Sequence, residues 1–182
     1  MDTTTGIIIV ALIVVIGIVA VLMMQRRRTE DLRKQFGPEY DRAVSDHGDQ
    51  RQAEAELAAR QERVQKLNIR DLSAEDRERY IETWRSTQSR FVDEPVAAIK
   101  EADRVVAEVM RARGYPVGDF EQRVADISVD HPHVVSNYRA AHTIALANER
   151  GEASTEDLRQ AMVYYRSLFE DLLETKEKEV AR

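Results

Sequence analysis

Four histidines occur in the chain, and three of them, His131, His133 and His142, fall within twelve residues beside Asp126 and Asp130. Imidazole and carboxylate at that density could hold a metal ion or move a proton. A single helix cannot gather them. His133 and His142 are nine residues apart, about 900 degrees of turn, and so face opposite sides; His131 and His142 share a direction but lie about 16 Å apart along the axis. One zinc ion, with ligands near ~2 Å, takes neither pair from one helix. What survives is Asp130, His131 and His133 at a helix start, with Asn137, Tyr138 and Arg139 following, as candidate ligand-binding residues. The plainer reading is an Asp cap with polar histidines at the end of a bundle. No catalytic residue, metal ligand set or cofactor is assigned.

Other chemistry finds less support. There is no cysteine, hence no thiolate nucleophile, disulfide framework or cysteine metal site. The G-x-S-x-G elbow, the glycine-rich phosphate loops and H-E-x-x-H are absent. The acidic pairs Asp126 with Asp130 and Glu170 with Asp171 could do acid/base work, but with 33 acidic residues in the chain most carboxylates must be solvated faces. Leaving aside Asp2 and Arg26, Arg27 and Arg28, 32 acidic and 24 basic residues remain, a formal charge of −8 from Thr29 onward. Acidic and basic residues alternate there, which speaks against nucleic acid as a partner.

The elements that must position these groups follow from patterning. Residues 6–24, GIIIVALIVVIGIVAVLMM, carry no charged or hydrogen-bonding side chain. Nineteen helical residues cover roughly 28 Å, close to the ~30 Å hydrocarbon of a bilayer. Thirteen of those from Ile7 to Leu22 are Ile, Leu or Val, about −4 kcal/mol even at the low end of an insertion scale. The stretch therefore predicts a single-pass transmembrane helix after a polar leader, residues 1–5, with the lipid bilayer as its partner. A cleaved signal would need basic residues before the run, and MDTTT has none. Arg26, Arg27 and Arg28 place the C-terminal domain on the cytoplasmic side of the cell membrane by the positive-inside rule, an extracytoplasmic domain being the alternative. Residues 25–37 read as a basic juxtamembrane segment and hinge, ending at Gly37-Pro38.

Residues 38–175 predict an all-α domain, a bundle of about five or six helices, with a charged tail at 176–182. The first segment, to Leu67, is rich in helix formers but has a thin apolar stripe: Tyr40, Val44, Leu57, Val64 and Leu67. Ser73-Ala-Glu-Asp76 starts a helix with Tyr80, Ile81, Trp84 and Phe91 at core spacing. Pro95 opens the next, whose face of Val96, Ile99, Val105, Val106, Val109 and Met110 ends at Gly114. Asp119 caps a short helix. Val129-Asp130-His131-Pro132 is expected to start another, ending near Gly151. Ser154-Thr-Glu-Asp157 begins the last, with Leu158, Met162, Tyr165, Phe169 and Leu172 as a bundle seam. No strand alternation competes.

The segments FGPEYDRAV, RFVDEPVAAIKEADRVV, RGYPVGDFEQRVADISVDHPHVVSNYRAAH and STEDLRQAMVYYRSLFEDLL resemble a family of uncharacterised bacterial proteins with an N-terminal apolar span and a C-terminal helical domain. The resemblance covers nearly all of residues 30 to 175, and RGYP...SVDHP is its most specific part. It implies an anchored helical domain and transfers no catalytic residue. The functional expectation is a membrane-anchored protein-interaction or scaffold module with a protein partner, the alternative being an enzyme or a small-ligand or metal-binding domain with a site near Asp130 to His142.

Overall fold

The computed structural model describes the backbone of residues 3–174 and the side chains from residue 12 onward. The charged tail at 176–182 lies outside the described residues, as do the side chains of the leader and of residues 6–11. Every described element is a helix: α1 (Thr3–Phe36), α2 (Pro38–His47), α3 (Gln50–Gln65), α4 (Ala74–Arg90), α5 (Pro95–Arg113), α6 (Phe120–Asp130), α7 (Val135–Glu149) and α8 (Thr155–Leu173). The all-α expectation agrees with this.

The transmembrane helix expected at 6–24 does not stand. Among the described residues, no helix is long and apolar enough to cross a membrane. The described apolar side chains of α1 are those from Leu12 to Met24. The membrane and single-pass readings drawn from that stretch are corrected accordingly. These side chains nonetheless stand in the open, with Leu12, Ile13, Ile16 and Leu22 each more than half exposed. Residues 25–36 continue the same helix up to the expected stop at Gly37-Pro38. They are the last third of α1, and its last turns bury Leu32 and Phe36 in the domain. Gly37, at φ 48, breaks α1 from α2.

Seven helices follow α1 among the described residues, more than the five or six expected, because the stretch from Pro38 to Leu67 divides. Gly48 closes α2 in the left-handed conformation at φ 67, and the Asp49 side chain accepts from Gln52 N at 2.9 Å to open α3. Similar caps start α4 at Ser73, α6 at Asp119 and α8 at Ser154, the last a reciprocal box with Asp157.

Two cores result. The larger joins α4, α5, α6, α7 and α8 around Trp84, Ile99, Val106, Ile127, Tyr138, Tyr165 and Leu172. Trp84 stacks on Phe169, centroids 4.6 Å apart and planes at 14°. The smaller joins the end of α1 to α2 and α3 through Leu32, Phe36, Tyr40, Ala53 and Leu57, and it borrows Val129 from α6. That thin stripe therefore lies on the bundle. Gly114, at φ 99, ends α5 where the α3–α4 connection crosses it: a Cβ there would collide with the Asn68 carbonyl oxygen.

A buried polar seam joins the cores. Glu39 on α2 is buried and accepts from Arg60 Nη1 of α3 at 3.1 Å and Arg139 Nη2 of α7 at 2.8 Å. Arg60 also reaches Ser128 Oγ at 3.3 Å and pairs with Glu56, while Arg139 reaches Glu121 at 2.9 Å. Beside them, fully buried Asp126 accepts from Arg63 Nε at 2.7 Å and Gln122 Nε2 at 2.9 Å.

Candidate functional site

The α6–α7 corner and the last turn of α8 meet at Asp171. The expected helix start at Asp130 is instead a helix end: α6 runs to Asp130, His131 is its C-cap, and α7 begins at Val135. Pro132 supplies no amide hydrogen, so the chain turns there. The turn brings both imidazoles onto one carboxylate. His131 Nδ1 pairs with Asp171 Oδ2, and His133 Nε2 lies 2.8 Å from Oδ1. His131 and Asp171 are nearly enclosed, at 11% and 15% side-chain exposure, whereas His133 is open at 66%.

The electrostatics follow from that geometry. Burial pushes the Asp171 pKa up, but hydrogen bonds and charge from His131 and His133 outweigh it and hold the carboxyl below its ordinary value. An ionised carboxylate only accepts, so Nδ1 of His131 carries the hydrogen of that bond and Nε2 is the ring's other nitrogen. Nε2 is buried without a hydrogen-bond partner. The pairing orients the ring, as a carboxylate on one nitrogen orients an imidazole for chemistry at the other.

Beside the pair runs an open groove of about 440 Å³ between the corner and α8. Val134 and Val163 give it apolar ground, with Arg166, Glu170 and Glu174 along its charged side. Arg166 Nε donates to Glu170 at 2.7 Å, and Asn137 Nδ2 donates to Ser167 Oγ at 3.3 Å.

The sequence candidates scatter around this corner rather than share a cavity. Asp130 accepts from the Tyr115 hydroxyl at 2.6 Å, and burial followed by this bond raises the Tyr115 pKa. Tyr138 is a core residue, 5.1 Å from Phe120 and 6.3 Å from Tyr165 between ring centroids, and burial raises its pKa. Arg139 belongs to the seam with Glu39. His142 stacks on Phe120 at 3.6 Å, away from the other histidines, and burial lowers its pKa. Of these candidates only His133 lines the groove, while His131 and Asn137 bond to Asp171 and Ser167 in its wall.

No group of three His, Cys, Asp or Glu residues that could hold a metal ion occurs among the described residues. The physical reason at the corner is that both imidazole nitrogens point at opposite oxygens of one carboxylate and not at a common centre. Asp171 itself drew notice in the sequence only as half of an acidic pair. One further signal was available. A carboxylate in the last turn of a helix opposes the macrodipole, so its placement there asks for a cationic or hydrogen-bonding partner. Tyr115 and Ser167 gave no such signal. No family model, no curated protein and no solved structure matches this chain.

Proposed function

We propose that this chain is a helical protein-interaction module held at a lipid surface by the apolar part of α1. The observation that carries the interaction reading is the groove on α8. Val163, 47% exposed, stands beside Val134 with charges of both signs alongside, the combination of apolar anchor and polar rim that suits a partner segment. The groove is open along its length, whereas small-molecule sites enclose most of their ligand. Contact with lipid is supported by Ile13, Val14, Val15 and Ile16, consecutive residues that cover almost a full helical turn and are all exposed. A helix apolar on every side has no polar face to leave in water.

A photo-crosslinking residue at Val163 tests the first part, with Val92, 83% exposed at the α4–α5 corner, as the control position. One reproducible adduct from Val163 but not from Val92, lost when Arg166 is changed to Glu at the groove's exposed rim, is the expected result. Equal labelling from both positions refutes the groove. Flotation with neutral vesicles tests the second part: the full chain floats, and a chain starting at Gln25 does not.

A second reading is favoured by the unpartnered Nε2 of His131: a small-ligand or catalytic site at the corner. His131→Gln and Asp171→Asn separate the two, because a site loses ligand or turnover with folding intact, whereas a structural pair loses melting temperature.

A further inference from the structure

Where the apolar part of α1 ends, α1 and α3 flank a second groove, of about 530 Å³. From α1 it is lined in order by Met24, then Arg27 and Arg28, then Asp31 and Leu32, and finally Gln35. Across it, α3 contributes Ala58 and Gln61. The α1 positions step by three and four, so they share one face over roughly 16 Å of helix. The groove is graded: a thioether toward the apolar stretch, two guanidiniums at the next turn, and two primary amides at the far end.

We propose that this groove binds a phosphodiester amphiphile, with the phosphate between Arg27 and Arg28, the apolar tail on the Met24 side and the polar head toward Gln35 and Gln61. This rests on the reading that the apolar part of α1 meets lipid. Three observations favour a phosphodiester. Guanidinium forks match phosphate oxygens in geometry and charge. Asp31 offsets one of the two positive charges, so the groove balances a singly charged diester better than a dianionic monoester. The Gln61 amide donates and accepts, and the Gln35 amide, whose nitrogen donates to the Val129 carbonyl at 3.5 Å, offers its oxygen, which suits hydroxyls or an amine on the head. The third basic residue, Arg26, does not line the groove. That separates a built site from diffuse attraction, which would weigh all three arginines alike.

The test uses the full chain on phosphatidylcholine vesicles containing increasing phosphatidylglycerol, reading the melting temperature of the helical domain, since a ligand of the folded state raises it. The wild type and Arg26→Gln are expected to reach half of the full rise at the same anionic fraction. Arg27→Gln and Arg28→Gln should each need at least about tenfold more, the weight of one lost hydrogen bond between charged groups. Gln61→Ala, which changes no charge, should also move the midpoint upward. A shift for Arg26→Gln equal to that of its neighbours overturns the proposal, as does an unmoved midpoint in the Arg27 and Arg28 variants with normal circular dichroism. If soluble glycerophosphodiester gives the same rise without vesicles, the site stands and its ligand is a free diester. Failure of the chain to float with neutral vesicles overturns the lipid reading itself, a result separate from any arginine dependence.

Discussion

Glu39→Ala is the substitution whose cost the structure states most directly. Glu39 is 5% exposed and is the shared acceptor of Arg60 and Arg139, whose side chains are 11% and 13% exposed. Removing one partner of a buried pair costs about 3–5 kcal/mol, because the remaining charge stays desolvated. Here Arg60 keeps Glu56 and Ser128, and Arg139 keeps Glu121, so the low end applies, about 3 kcal/mol. For a chain of this size that lowers the melting temperature by about 6–12 °C. The loss should also be uneven. Glu39 ties α2 and α3 to α6 and α7, whereas Trp84 reports on the larger core through its stack on Phe169. In urea the wild type should show coincident midpoints by circular dichroism and Trp84 fluorescence. In Glu39→Ala the dichroism midpoint should fall first and hydrogen exchange in α2 and α3 should quicken before that in α5 and α8. Replacing Glu39, Arg60 and Arg139 together by apolar residues should recover part of the loss. A cost below about 1 kcal/mol, with coincident midpoints, would falsify the claim that this seam couples the two cores.

Gly114→Ala combines a left-handed backbone with a collision against the Asn68 carbonyl, so it should cost well over the ~1–2 kcal/mol expected of Gly48→Ala, whose Cβ meets nothing; paired denaturation curves check the order. Phe169→Ala should cost about 3–5 kcal/mol and shift Trp84 emission to longer wavelength; an unchanged spectrum refutes the stack. The folded-state pKa of Asp171 lies below its ordinary value, so its contribution to stability is present above the unfolded value near ~4 and is lost as pH falls through the folded one. Stability–pH curves of the wild type and Asp171→Asn should therefore converge toward acid, and parallel curves over that range refute the pairing.

Much of the helical order was legible because it rests on local chemistry. The caps at Ser73, Asp119 and Ser154 and the stop at Gly114 are written in neighbouring residues. The seam of α8 was visible too: Leu158, Met162, Tyr165, Phe169 and Leu172 are all buried. The α2–α3 break at Gly48-Asp49 had its glycine stop and aspartate start in plain order, but the thin stripe around it gave no change of face to mark it. Asp130 misled because aspartate before a proline resembles a cap, while Tyr115 had already claimed it. The length of the apolar run at 6–24 suggested a complete crossing, whereas among the described residues no helix is long and apolar enough for one. Arg139 was singled out for a ligand, and its partner Glu39 lies 100 residues earlier. No periodicity reveals a pairing across that separation. The pairing of Asp171 with His131 spans 40 residues and was hidden for the same reason.

The unbroken run of α1 from its apolar half into Leu32 and Phe36 means that the domain cannot swivel on its stalk. Whatever fixes the azimuth of Leu12 to Met24 also fixes the compass heading of the α8 groove, as a mast fixes its vane. Inserting one alanine between Met24 and Thr29 would rotate that heading by about 100 degrees while raising the domain only about 1.5 Å, and seven would bring it back to within about 20 degrees. A partner approaching from a set direction would sense the first insertion and tolerate the second.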